Sequence, residues 1–117
     1  MGVLMSSRYQ KFFQEIKGGR TAILDSGVST ELERQGAQMR DTHWSGRVSI
    51  DEFDILVNTH KAYIDAGADV ITVNSYASSR LVLGESINES LIEKINKKNI
   101  EAAFEARIQS GANEVLI

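Results

Sequence analysis

The 117-residue chain is 42% hydrophobic and 25% charged, and its 13 basic and 16 acidic side chains leave a net charge of −3. That is the balance of a soluble globular domain, and it argues against a nucleic-acid binder, which needs a concentrated basic surface. There is no cysteine, which excludes disulfides and thiolate metal sites within these residues.

In chain order, Arg8 to Lys17 reads as an amphipathic helix, with Phe12, Phe13 and Ile16 at helical spacing and a Gly18-Gly19 stop. Thr21 to Leu24 is a short apolar run suited to a buried strand, and Asp25-Ser26-Gly27 turns the chain. Thr30 and Glu33 have capping-box spacing for a short helix that Gly36 closes. Residues 37 to 48 read as irregular and hold the single tryptophan, Trp44. Ser49 and Glu52 repeat the capping-box spacing. The helix they introduce puts Phe53, Leu56, Val57, His60, Tyr63 and Ile64 on one face, so His60 is expected to be a core histidine bonded to neighbouring backbone. After Gly67, Asp69 to Val73 is a β-branched strand, and Asn74 to Ser79 is a polar loop. Ser86 and Glu89 give a third capping-box spacing. A long helix follows, with Ile92, Ile95, Ala102, Ala103 and Ala106 near one face; its lysines Lys94, Lys97 and Lys98 read as a solvated surface. Beyond Gly111, Glu114 to Ile117 begins another apolar strand.

Gly67-Ala68-Asp69-Val70-Ile71 recurs in kind as Gly111-Ala112-Asn113-Glu114-Val115-Leu116, each time between a long helix and a strand, as in stacked β-α units. Strands alternating with helices predict an α/β fold with a parallel sheet covered by helices. A closed (β/α) barrel and an open doubly wound sheet both satisfy this pattern. A barrel takes about 250 residues, so the chain would supply two β-α units and a third strand. A buried parallel strand needs neighbours on both sides. The chain is therefore expected to be part of a longer protein, or to self-associate through its open sheet edge. No stretch reaches the roughly 20 apolar residues of a membrane helix, and Met1 to Ser7 lacks the regions of a secretory signal, so the expected compartment is the cytoplasm.

In a barrel, functional groups gather at the C-terminal ends of the strands. Asp25 follows the first strand, Asn74, Ser75 and Tyr76 follow the second, and Trp44 and Ser45 lie on the same side. An acid, hydroxyls, an amide and aromatic rings suit a small zwitterionic ligand, with Asp25 against an ammonium group. Each residue also has a structural reading: Asp-Ser-Gly is ordinary turn chemistry, and a tryptophan commonly serves packing.

The string Ile23-Leu24-Asp25-Ser26-Gly27 with Thr30-Glu31-Leu32-Glu33 and Gly36 resembles the opening motif of the homocysteine S-methyltransferase family. His43-Trp44-Ser45 resembles its next segment, and Gly67 to Thr72 with Asn74-Ser75-Tyr76-Ala77-Ser78 its second-strand segment. The resemblance implies that residues 1–117 are the N-terminal part of a homocysteine-binding (β/α)8 TIM-type barrel. It implies that Asp25 holds the homocysteine amino group, that Gly27 and Val28 form a turn close to the substrate, and that Trp44, Ser45, Ser75 and Tyr76 lie beside it. The family acid is usually followed by two glycines, and here Ser26 takes the first position. The partners implied are homocysteine and a methyl donor. The cofactor implied for a full-length member is zinc, held by three cysteines that would lie beyond Ile117. The 117 residues by themselves are then expected to be inactive, with no catalytic or metal-ligating residue of their own. The alternative is a catalytically silent module that self-associates or binds a small molecule.

Overall fold

The computed structural model describes residues 2–38, 45–84 and 88–117. Six α-helices are found among them: α1 (Gly2–Lys17), α2 (Val28–Arg34), α3 (Val48–Asp51), α4 (Phe53–Asp65), α5 (Arg80–Leu83) and α6 (Glu89–Gln109), with a 3-10 turn at Tyr76–Ser78. No described helix is long and apolar enough to cross a membrane.

The core is the seam between α4 and α6. Leu56 and Val57 meet the small side chains of Ala102 and Ala106, with Leu32 of α2 and Val48 of α3 closing the same cluster. Alanines along α6 let α4 approach closely, and the larger residues on the other side fill the space. The register is fixed at three levels. Ser49 Oγ donates to the Ile95 carbonyl at 3.1 Å, the Lys98 ammonium lies 5.3 Å from the Phe53 ring centre, and Lys61 Nζ donates to Gln109 Oε1 at 3.2 Å. Ascending numbers pair with ascending numbers, so the two helices run in the same direction.

Both long helices end alike. Gly67 and Gly111 adopt left-handed φ values of 107° and 62°. The next amide reaches back to the helix, Ala68 N–H to the Tyr63 carbonyl and Ala112 N–H to the Arg107 carbonyl. This is the αL termination that glycine permits at least cost. The repeat read in the sequence is thus a repeated way of ending a helix.

The parallel strands expected at Thr21–Leu24, Asp69–Val73 and Glu114–Ile117 are not formed. No strand occurs among the described residues; the segments meet only at isolated parallel bridges, Leu24 with Val70 and Val70 with Leu116. The chain is therefore a helical structure with a few bridged extended residues, and the expectation of a partial α/β barrel built on parallel strands is corrected. The reason lies in two carboxylates. Extending the Leu24–Val70 bridge would need Thr72 N–H to bond the Asp25 carbonyl and Ile23 N–H to bond the Ala68 carbonyl. Instead Thr72 N–H donates to Asp25 Oδ2 at 2.7 Å, and Ile23 N–H donates to Asp69 Oδ2 at 2.9 Å. On the other side Asp69 N–H is taken by the Ile23 carbonyl, so it cannot serve a ladder toward Glu114. Side-chain acceptors have displaced the ladder at the first two of these steps, and a backbone carbonyl at the third.

The expected capping boxes also differ. α2 begins at Val28 after Gly27 and α4 at Phe53 after Glu52, neither with a side-chain cap. Ser49 spends its hydroxyl on α6 instead. The cap of α6 is Asn88, whose side chain accepts from Leu91 N–H at 2.9 Å; Ser86 lies outside the described residues. His60 is fully buried as expected, but no backbone group bonds it: Nδ1 and Nε2 both lack a hydrogen-bond partner, as do both amide atoms of buried Asn99.

α1 lies apart from this core and is tied to the last segment by polar contacts. Arg8 Nε donates to the Asn113 carbonyl, Tyr9 Oη donates to the Ile117 carbonyl, and Lys11 pairs with Glu114 at 3.3 Å. Arg20 stacks on Phe12, pairs with Glu15 and reaches Asp69 at 2.7 Å.

Candidate functional site

Two connections leaving the bridged segments, Asp25–Thr30 and Thr72–Asn74, face one another across an open cleft of about 320 Å³, with Tyr76 at its edge. Asp25 anchors the wall. Its Oδ2 accepts the Thr72 N–H and its Oδ1 accepts the Thr72 hydroxyl at 2.8 Å. Gly27 stands at the turn into α2, where an added Cβ would come within 3.2 Å of Thr30 Oγ1; a side chain there would crowd the entry to the helix. The Gly27 carbonyl accepts both the Glu31 N–H and, at 3.1 Å, the Tyr63 hydroxyl. Burial, then the Glu31 and Asp25 charges, raise the Tyr63 pKa, so the phenol keeps the proton it donates. The turn is thus fastened at Asp25 to the central segment and at Gly27 to α4.

A second set of polar contacts ties the cleft wall to the buried Ser45. Ser29 and Ser45 hydroxyls are 2.7 Å apart, and buried Asn74 donates through Nδ2 to the Ser45 carbonyl at 3.2 Å. On the far side Ser78 and Asn96 exchange hydrogen bonds, joining the 3-10 turn to α6.

Of the residues expected at the site, Asp25, Gly27, Val28, Asn74 and Tyr76 line the cleft, and Tyr76 is 82% exposed. Ser45 is fully buried and works as internal support. Ser75 is not part of the lining; its carbonyl accepts the Ser78 hydroxyl. Trp44 lies outside the described residues. The sequence alone does not assign Thr72, Ser29 or Tyr63 to the site. Thr72 was detectable as the one hydroxyl inside the apolar run Val70–Val73, whereas nothing local marks Ser29 or Tyr63. The zinc implied by the family resemblance finds no seat among these residues. The chain has no cysteine, and among the described residues no group of three His, Asp or Glu side chains is placed to hold a metal ion.

Residues 22–117 match the family model described as homocysteine S-methyltransferase. The chain is 38% identical over 92 residues to a selenocysteine Se-methyltransferase of Brassica oleracea var. italica, covering 76% of this chain and 26% of that protein. It is 37% identical over 94 residues to homocysteine S-methyltransferase 1 of Arabidopsis thaliana, covering 78% and 28%, and 34% identical over 90 residues to homocysteine S-methyltransferase 2 of the same plant, covering 76% and 27%. The chain spans about a quarter of the length of these relatives. No solved structure matches it.

Proposed function

We propose that this chain, which belongs to the homocysteine S-methyltransferase family, supplies the wall that receives the amino-acid head of homocysteine in a protein that methylates its sulfur. The observation that supports this reading is the Asp25 carboxylate on the cleft wall, fixed by two hydrogen bonds from one residue. A carboxylate oxygen has room for more than one donor, so both oxygens retain capacity for a ligand ammonium. The relatives are named for homocysteine and for selenocysteine. Those substrates share the ammonium and carboxylate and differ in chain length and in the reacting atom, so a wall that reads the head group suits both. In the complete reaction the carbon–sulfur bond of methionine forms, the bond between the methyl group and its donor breaks, and the thiol proton is lost. The part of this chain is to bind and orient the head group so that the sulfur is presented to the donor.

The test is Asp25→Asn in a full-length protein carrying these residues, titrated with homocysteine. Asparagine keeps the shape: its carbonyl can accept the Thr72 amide and its NH2 can donate to the Thr72 hydroxyl, which only has to rotate. What disappears is the charge. A hydrogen bond to a charged group contributes about 1.5–3 kcal/mol, so affinity should fall on the order of ten- to a hundredfold with little change in melting temperature. Unchanged affinity would assign Asp25 to the turn and remove the proposal's support.

A further inference from the structure

We infer that Thr72 is the positioning residue for Asp25, and that its hydroxyl gives the cleft its preference for a cationic head group. The inference rests on the reading of Asp25 given above. An aspartate at a turn can rotate about two bonds, and an ammonium site needs its carboxylate in one orientation. Thr72 restrains it from both ends, by the backbone N–H on Oδ2 at 2.7 Å and the hydroxyl on Oδ1 at 2.8 Å. A hydroxyl has one proton. Once that proton is committed to Asp25, the Thr72 oxygen faces a ligand as an acceptor alone. Thr72 lines the same cleft as Asp25. A ligand therefore meets a carboxylate and a proton-accepting hydroxyl side by side, which suits –NH3⁺ and disfavours a second anion. The contact also explains why the hydroxyl interrupts an otherwise apolar run.

The test compares Thr72→Val with Thr72→Ser in a full-length protein carrying these residues. Valine keeps the β-branched shape suited to extended backbone and loses the hydroxyl, while serine keeps the hydroxyl. Each variant is titrated with homocysteine and with 4-mercaptobutanoate, the same molecule without its amino group, alongside Asp25→Asn. Thr72→Val should bind homocysteine about tenfold more weakly, one charged hydrogen bond's worth. Thr72→Ser should stay within about twofold of wild type, and no variant should bind 4-mercaptobutanoate more weakly than wild type does. Equal weakening toward both ligands would mark a structural role and overturn the inference. So would a Thr72→Val affinity equal to wild type while Asp25→Asn is weakened, which leaves the reading of Asp25 standing. Unchanged binding in Asp25→Asn would instead defeat that reading, and the inference with it. Should the valine variant not fold, Thr72→Ala removes the same hydroxyl and is held to the same outcomes.

Discussion

Lowering the pH from 7 to 4 is expected to cost the fold on the order of 3 kcal/mol through His60 alone. The ring is fully buried with no partner for either nitrogen. Burial pushes its pKa down to about 4 from the usual 6.5, against a smaller opposing pull from the Asp25 charge. The folded state therefore resists a proton that the unfolded chain accepts. Above pH 6.5 both states hold His60 neutral and nothing is lost. Between pH 6.5 and 4 the unfolded chain binds the extra proton, so stability falls as pH falls. Below about 4 both states are protonated and the loss levels off. A difference of about 2.5 units at 1.36 kcal/mol each gives the stated magnitude. Glu31, held near 2 in the fold by hydrogen bonds from Arg34 and Gln35, adds its own loss only as the pH falls toward and below 4.5, at the lower edge of this window. Melting curves of wild type and His60→Leu from pH 7 to 4.5 would check the assignment. The variant should be at least as stable as wild type at pH 7, because an apolar side chain replaces an unpaired polar one, and its curve should be flatter. Parallel curves would move the acid sensitivity elsewhere.

Leu56→Ala is expected to destabilise the fold by about 2–5 kcal/mol. Leu56 has no exposed surface and sits at the centre of the cluster that joins α2, α3, α4 and α6. The facing residues on α6 are alanines with nothing to extend into the vacated space, so collapse is limited and the upper half of the range is favoured. Ile108→Ala is the matched control. Ile108 lies on the same helix pair but is 67% exposed, and its truncation should stay within about 0.5 kcal/mol. Denaturant titrations of the two variants would compare them directly. Similar losses in both would mean that the α4–α6 seam is not the main store of stability.

The helical half of the fold was legible because its signals are periodic and local. Phe53, Leu56, Val57 and His60 fall on one face of α4, and Gly67 and Gly111 each stop a helix. The strands were misread because composition reports what a segment can do, and not which acceptor its amides will find. Ile23 and Thr72 have the residue types of paired backbone, yet the carboxylates that flank the Leu24–Val70 bridge, Asp69 and Asp25, take their N–H groups. The capping boxes failed for a similar reason: Ser49 has the right spacing from Glu52, but the backbone of Ile95 lies within its reach. At the site, residues belonging to one contiguous turn were found together, namely Asp25, Gly27 and Val28. The burial of Ser45 and its bond from Asn74 are properties of the assembled chain and have no local signal. The spacing of Tyr63 marks only a core face, yet its hydroxyl fastens the turn that holds Gly27.

The attachment of α1 has a consequence for the order of folding. Its ties to the last segment bridge 105 and 108 positions of sequence, and they lie on the exposed side of the molecule. The hydrogen bonds along the α4–α6 seam bridge fewer than 50 positions, and the seam buries Leu56, Val57, Ala102 and Ala106. Closing a longer loop costs more entropy, about 0.6 kcal/mol for each doubling, and the α1 contacts return little buried apolar area to offset it. The seam should therefore form first, with α1 joining the segment Asn113 to Ile117 afterwards. At equilibrium the same asymmetry means that α1 can detach while the seam holds. Its amides should exchange with deuterated solvent through a partial opening far cheaper than complete unfolding, whereas the amides of Leu56, Val57 and Ala103 should wait for the whole molecule. Equal protection of the two sets would show instead that α1 and the seam open as one unit.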